Sequence, residues 1–79
     1  MSQWFVYMLR CADGSLYTGI STDVKRRVVQ HNAGTGGAYT RSHRPVELVW
    51  AAKAATESAA RKREAMMKKW PRDKKCGLI

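Results

Sequence analysis

The chain has 79 residues, which fits a single domain over residues 1–79 with only a modest apolar core. Fifteen Lys and Arg residues against six Asp and Glu residues give a formal net charge of +9, which favours polyanions such as nucleic acid. No stretch has the length of a membrane-spanning helix and the N-terminus lacks the features of a signal peptide, so we expect a cytoplasmic protein with no membrane partner.

Two strand-like runs open the chain. The stretch QWFVYMLRC, residues 3–11, is rich in aromatic and β-branched residues, as is typical of a strand covered on both faces. The following D-G pair is a strong hairpin signal, so SLYTGI, residues 15–20, should return antiparallel to the first strand. Tyr7 and Tyr17 are therefore expected on neighbouring strands.

A basic helix follows the hairpin. Thr22 is the predicted N-cap of a helix over about residues 23–33, and Gly34 closes it. At about 100° per residue, His31 shares the apolar face of this helix and Arg27 borders that face. These two residues stand one helical turn apart, so they can act together.

The second half of the chain predicts one more strand and one more helix. Residues 32–45 are too polar and too broken by Gly and Pro for a regular element, so we expect a mobile connection. VELVWAAK, residues 46–53, is the predicted third strand, and Thr56 opens a helix over residues 57–70 that stops before Pro71. The last residues can form one more short helix. The order β-β-α-β-α predicts an α+β fold with a small three-stranded antiparallel sheet flanked by helices.

The chain has only six acidic residues, so few side chains are candidates for a metal ligand. Five of the six have a place in a turn, a first helical turn, a strand or the region near the C-terminus: Asp13, Asp23, Glu47, Glu57 and Asp73. Glu64 remains, at the edge of the apolar stripe of its helix, where the spacing fits both a sheet-facing carboxylate and an exposed ion pair with Lys68. One carboxylate suits Mg²⁺, which keeps several waters and takes other ligands from substrate phosphate. Cys11 and Cys76 lack metal-site spacing and are expected to be free thiols.

Four further side chains allow both a structural and a chemical role. Arg27 can belong with Arg26 to a solvated basic face, or it can hold a phosphate bidentately. His31 can be a packed residue or a proton carrier. Tyr7 and Tyr17 fit core aromatics, and a catalytic phenolate would cost about 4 kcal/mol at pH 7, which nearby cations must offset.

Several other side chains are candidates for contact with nucleic acid through charge or stacking, although a flexible linker explains the loop members equally well. They are Arg26, Tyr39, Arg41, Arg44, Lys68 and Lys69.

The whole arrangement resembles the GIY-YIG endonuclease superfamily over about residues 4–75, in its stand-alone bacterial form. FVY, ending at Tyr7, takes the place of the first signature, although its Phe stands where the superfamily often has Gly, and YTG, beginning at Tyr17, takes the place of the second. The superfamily's arginine, the polar residue one turn later and the metal-binding glutamate correspond to Arg27, His31 and Glu64.

This resemblance implies a Mg²⁺- or Mn²⁺-dependent endonuclease that hydrolyses DNA in repair or recombination. Glu64 would hold the metal, Arg27 would stabilise the transition state and Tyr17 would orient or deprotonate the attacking water, with Tyr7 and His31 assisting. The expected substrate is DNA, with branched, damaged and plain duplex forms all open, and RNA is a further candidate partner. Two alternatives stay open: a basic module that binds DNA or RNA without turnover, and a protein whose charge serves solubility alone.

Overall fold

The computed structural model describes residues 3–79 and has the expected α+β architecture. The three strands form one antiparallel sheet in the order β2-β1-β3, flanked by helices, which confirms the predicted fold class. In chain order the elements are β1 (Trp4–Cys11), β2 (Leu16–Ser21), α1 (Val24–Ala33), α2 (Ala38–Ser42), β3 (Val46–Ala54), α3 (Glu57–Lys68) and α4 (Arg72–Cys76).

The hairpin between β1 and β2 closes at the predicted turn. Gly14 adopts a left-handed conformation with φ of 85°, and its N–H donates to the carbonyl of Cys11. The Asp13 carboxylate accepts from both the backbone N–H and the hydroxyl of Ser15, at 3.0 and 2.6 Å. These contacts set a register in which Tyr7 lies directly opposite Gly19.

The two faces of the sheet carry different helices, because successive side chains of β1 point in opposite directions. On one face, called the α3 face, Val6 and Met8 pack against Ala60 and Met67 of α3. On the other, called the α1 face, side chains of β1 pack with apolar residues of α1. The sheet therefore separates α1 from α3, which the sequence pattern did not predict.

The helix ends follow local capping chemistry, with one correction. Asp23, and not Thr22, is the N-cap of α1, since its carboxylate accepts from the N–H of Arg26 at 3.1 Å and the helix begins at Val24. Gly34 ends α1 in a left-handed conformation with φ of 85°, and Thr56 caps α3 through the N–H of Ala59, both as predicted.

The Gly-rich connection contains a regular element, so its prediction as an irregular segment is wrong. Its residues Ala38–Ser42 form α2, which docks on the hairpin turn. The Tyr39 hydroxyl donates to Ser15 Oγ at 2.7 Å, and the carbonyl of His43 accepts from the N–H of Ala12 at 3.0 Å. These tertiary contacts, which no local pattern reveals, hold the segment against the sheet.

The C-terminal part agrees with the sequence in outline. Helix α3 ends at Lys68, two residues earlier than predicted, and α4 is the expected short helix. Both cysteines are free thiols, Cys11 buried and Cys76 exposed. Within residues 3–79, none of the helices has the length and apolar character needed to span a bilayer.

Candidate functional site

The site is organised by a phenol that lies across an edge strand. Tyr7 projects on the α1 face, and β2 is the edge strand beside it. A Cβ atom at Gly19 would lie 2.7 Å from Tyr7 Oη and 2.8 Å from Tyr7 Cζ, so only glycine leaves room for the phenol. The Tyr7 hydroxyl consequently lies directly over β2.

A buried chain of hydrogen bonds continues from that hydroxyl. Tyr7 Oη lies 2.9 Å from His31 Nε2, and His31 Nδ1 lies 2.7 Å from Thr40 Oγ1. Because the Thr40 hydroxyl donates to the carbonyl of Gly37, we assign the proton of neutral His31 to Nδ1 and the acceptor role to Nε2. The Tyr7 hydroxyl then donates to Nε2. All three side chains are at most 1% exposed.

Glycine also shapes the far side of the imidazole. A Cβ atom at Gly36 would lie 2.5 Å from His31 Nδ1 and 2.8 Å from His31 Cα. The loop backbone therefore packs directly on the His31 ring. This contact fixes the ring between the sheet and α2.

Burial keeps both partners of the phenol–imidazole pair neutral. Burial raises the pKa of Tyr7, and Tyr17 and Glu64 add to that increase, while the nearby Arg27 guanidinium opposes it. Burial also lowers the pKa of His31, and the positive charge of Arg27 lowers it further. Near neutral pH the pair is therefore a phenol donating to an uncharged imidazole.

Arg27 holds a fixed guanidinium beside this pair. Its two terminal nitrogens donate to Gln30 Oε1 and to the carbonyl of Gly36, each at 2.9 Å. These bonds orient the guanidinium and leave further N–H donors for an anion. Arg27 thus faces the site and is not part of a fully solvated helix face.

Tyr17 is the more accessible of the two phenols. Its ring centroid lies 5.1 Å from that of His31 and 6.5 Å from that of Tyr7. On its other side Tyr39 stacks at 6.1 Å, and His43 stacks on Tyr39 at 4.2 Å. This row of rings connects the interior of the site to the surface of α2.

Glu64 approaches from the opposite face of the sheet. Its carboxylate lies 3.5 Å from Lys68 Nζ, and its side chain is only 22% exposed. The same carboxylate raises the pKa of Tyr7, so its field reaches the phenol. Glu64 therefore forms the ion pair with Lys68 that its spacing allowed, while its side chain stays mostly buried and not turned out into solvent.

The donor set around Glu64 fits a hard divalent cation held loosely. No group of three or more His, Cys, Asp or Glu side chains comes together anywhere in residues 3–79. A cation at Glu64 would thus take one protein carboxylate, with water and substrate phosphate as its other ligands. Mg²⁺ accepts that coordination, whereas structural Zn²⁺ does not.

The residues predicted to contact nucleic acid do not form one continuous surface cleft. Arg41 and Arg44 line a cleft of about 400 Å³ beside the end of α1. Tyr39 and Lys68 line another, of about 300 Å³, next to Tyr17. Arg26 on α1 and Lys69, the residue after α3, are exposed and line neither cleft.

Sequence reasoning missed three contributors to the site. Thr40 and Gly36, which hold His31, lie in the segment that lacks a hydrophobic period, so no local signal marks them. Lys75 lines the smaller cleft from the last helix. It lies in a Lys-rich end whose composition does not single out one residue.

Comparison with known proteins identifies the family of the chain. A family model described as the GIY-YIG catalytic domain matches residues 3–76. A UPF0213 protein of Staphylococcus aureus is 49% identical over 79 residues, covering 100% of this chain and 96% of that protein. The UPF0213 protein SERP0126 of Staphylococcus epidermidis is 48% identical with the same coverage.

Two solved structures also match. The solution structure of UPF0213 protein BH0048 from Bacillus halodurans is 41% identical, with a TM-score of 0.60 over 96% of this chain and 81% of that one. The solution structure of EF2693 from E. faecalis is 42% identical, with a TM-score of 0.64 over 95% and 80%. The chain, matched along nearly its whole length by the catalytic-domain model, belongs to the GIY-YIG family.

Proposed function

We propose that the protein is a divalent-metal-dependent endonuclease that hydrolyses phosphodiester bonds of DNA. The observation that carries this proposal is the buried Tyr7–His31 hydrogen bond of 2.9 Å, whose phenol is influenced by both Arg27 and Glu64. An acid from one face of the sheet and a cation from the other thus act on one phenol. Membership of a family described by a catalytic domain supports the same conclusion.

Glu64 is the proposed ligand of Mg²⁺ or Mn²⁺. When bound, the cation supplies Lewis-acid polarisation of the scissile phosphate. Arg27 adds fixed donors for the charge that grows on the phosphate oxygens in the transition state. Its bonds to Gln30 and Gly36 hold the guanidinium in place before substrate arrives, so little reorganisation is needed.

The two phenols and the imidazole orient the attacking water and accept its proton. Tyr17, the less buried phenol, orients the water toward phosphorus. As the new P–O bond forms and the bond to the leaving sugar oxygen breaks, the water proton passes to Tyr7 while the Tyr7 proton passes to His31 Nε2. The leaving oxygen takes a proton from solvent, so the step balances without prior formation of a phenolate.

Arg27 also couples phosphate binding to the basicity of His31. Without substrate, its positive charge lowers the pKa of His31 and opposes transfer of a proton to the ring. A phosphate bound to Arg27 offsets that charge. His31 therefore becomes a better proton acceptor when the substrate is in place.

The wider setting of this activity is part of the proposal. Branched or damaged DNA is the proposed substrate, in repair or recombination in the cytoplasm. A second candidate function is a nucleic-acid-binding module without turnover, which the two clefts lined by Arg or Lys favour. That module would bind DNA or RNA with strong salt dependence and cleave neither.

Replacing Glu64 tests the proposal directly. In a nicking assay on supercoiled DNA, Glu64→Gln should lower the Mg²⁺-dependent rate by about 100-fold or more, because the metal ligand is lost. DNA affinity should change by less than about threefold, because the substitution changes only one charge and leaves the basic residues in place. Chelator added to the wild type should abolish cleavage in the same way.

The matched control lies in the same helix. Glu57 pairs with Arg61 at the start of α3, away from the phenols, so Glu57→Gln should cleave like the wild type. Wild-type cleavage by Glu64→Gln would refute the proposed metal site. Salt-sensitive DNA binding by the wild type with no cleavage in any divalent metal would support the binding module instead.

A further inference from the structure

The smaller cleft adjoins the candidate site but is not used by the proposed chemistry. It lies at the open edge of β2, between α2 and the two C-terminal helices, and has a volume of about 300 Å³. Its wall includes Tyr17, so it is continuous with the place where the attacking water is oriented. Its lining residues are Leu16, Tyr17, Thr18, Tyr39, Lys68 and Lys75.

The charge of this cleft is uniformly positive. Lys68 comes from α3 and Lys75 from α4, and no acidic residue lines the wall. Within the described part of the chain the Lys75 ammonium has no ion-pair partner, and Lys68 has only the 3.5 Å contact with Glu64. Two cations from different helices thus face one cavity with little to neutralise them.

Thr18 adds an unused polar group to the same wall. It is only 3% exposed, and its hydroxyl is the single buried side-chain polar atom in residues 3–79 that lacks a hydrogen-bond partner. Because this hydroxyl is enclosed by the protein, the group that Thr18 can offer to a ligand is its backbone N–H. Because Cys11 N–H donates to the carbonyl of Ser15, strand alternation also turns the Thr18 backbone N–H to the open edge.

The larger cleft does not offer the same chemistry. It contains Arg44, but that guanidinium already donates to the carbonyls of Arg41 and Asn32, at 3.1 and 3.4 Å. Arg44 also lies against Gly34 at the end of α1, where a cation complements the helix carbonyls. The role of Arg44 is therefore structural, which leaves Arg41 as the cation of the larger cleft without a side-chain partner among the described residues, whereas the smaller cleft has two lysines from different helices.

We propose that the smaller cleft is a phosphate subsite for the strand being cut, and that it holds the phosphodiester next to the scissile one. Lys68 and Lys75 neutralise that phosphate, and the Thr18 backbone N–H at the open edge donates to one of its oxygens. This assignment deepens the proposed nuclease function, since the subsite would fix which phosphate faces Tyr17. Binding by the subsite, however, does not require metal or turnover.

Two adjacent lysines on α4 provide a matched test. Lys75 lines the cleft, whereas Lys74 lies over the ring of Trp70, with its Nζ 4.4 Å from the ring centroid. Both substitutions remove one charge from the same short helix. Binding of a fluorescent DNA oligonucleotide is measured by anisotropy over a salt series with chelator present, so that cleavage cannot contribute.

Lys75→Ala should weaken binding by about five- to tenfold and reduce the slope of log K against log salt by about one. Lys74→Ala should weaken binding less than about twofold. Thr18→Val, which keeps both the backbone N–H and the shape of the side chain, should bind within about twofold of the wild type. Equal effects of the two lysine substitutions, or an unchanged affinity in Lys75→Ala, would overturn the subsite.

The outcome also separates the subsite from the nuclease proposal. Selective weakening by Lys75→Ala, in a protein whose wild type cuts no DNA, would establish the subsite and refute the nuclease. Wild-type cleavage together with equal effects of Lys74→Ala and Lys75→Ala would refute the subsite and leave the nuclease standing. Where the wild type cuts, the subsite requires Lys75→Ala to raise KM while kcat stays within about twofold.

Discussion

The residues buried deepest on the two faces of the sheet differ in chemistry. On the α3 face, Val6, Met8 and Met67 are 0% exposed and purely apolar. On the α1 face, Tyr7 is 1% exposed, and His31 and Thr40 are 0% exposed, yet all three carry polar atoms joined by hydrogen bonds. Burial alone therefore does not distinguish the apolar part of the core from the part that contains the candidate site.

The difference has an energetic meaning. Each buried apolar side chain contributes about 1.5–3 kcal/mol relative to exposure, whereas a protein hydrogen bond contributes only about 0.5–1.5 kcal/mol net. A polar interior is thus a poor way to gain stability and a good way to hold donors and acceptors in fixed orientation. The contrast predicts that damage to the α3 face lowers stability most, and damage to the α1 face changes the site.

The largest stability effect is expected on the α3 face. Met67→Ala should lower the free energy of unfolding by about 2–5 kcal/mol, because it leaves a cavity between α3 and β1. Met66, its neighbour, is 50% exposed, so Met66→Ala should cost less than about 0.5 kcal/mol. Urea denaturation measures both, and similar midpoints for the two variants would contradict the assigned core.

A smaller loss, with a chemical signature, is expected on the α1 face. Thr40→Val removes the acceptor of His31 Nδ1–H and leaves that donor buried without a partner, at a cost of about 1–3 kcal/mol. Thr40→Ser keeps the hydroxyl and should keep the Nδ1–H tautomer, which nitrogen NMR of the ring reports. If Val and Ser at this position gave the same tautomer and stability, the assigned chain of hydrogen bonds would be wrong.

The smallest effect is a pH dependence from His31. Its pKa is lowered from 6.5 by burial and then by Arg27, so between the lowered value and 6.5 the unfolded state binds a proton that the native state does not. The contribution of neutral His31 to the free energy of unfolding should be fully present above pH 6.5. Below pH 6.5 the free energy of unfolding should fall by at most about 1.4 kcal/mol per pH unit.

Thermal unfolding between pH 7.5 and 5 measures this slope. It should flatten in His31→Gln and persist in His43→Gln, whose ring stacks on Tyr39 at the surface. Hydrogen bonds from Ser15 lower the pKa of Asp13 below 3.8, so that carboxylate affects stability only at more acid pH. A pH-independent midpoint in the wild type would argue against a buried neutral imidazole.

The sequence predicted those features that depend on local chemistry. The D-G turn, the Gly34 end of α1 and the Thr56 cap of α3 follow from backbone preferences. The turn also sets the strand register that brings Tyr7 near Tyr17. Strand alternation and helical period also placed Arg27 and His31 toward the sheet. These features needed no knowledge of distant contacts.

Other features depend on tertiary contacts that leave no local trace. Thr40 lies among polar residues typical of a surface loop, yet it is fully buried because α2 docks on the hairpin. The placement of α3 on the face opposite α1 follows from how the connections cross the sheet, so the route by which Glu64 approaches the phenols could not be read from spacing. The cap at Asp23 shows the usual one-residue uncertainty of a helix start.

The pairing of Tyr7 with Gly19 joins two stretches that look independent in the sequence. The aromatic ring occupies the volume that any side chain at position 19 would need, so the two residues form one steric unit shared between neighbouring strands. An exchange of the glycine for alanine would displace the hydroxyl even with every ionisable group intact. Variation at these two positions should consequently be correlated, with a bulkier residue at 19 tolerated only beside a smaller one at 7.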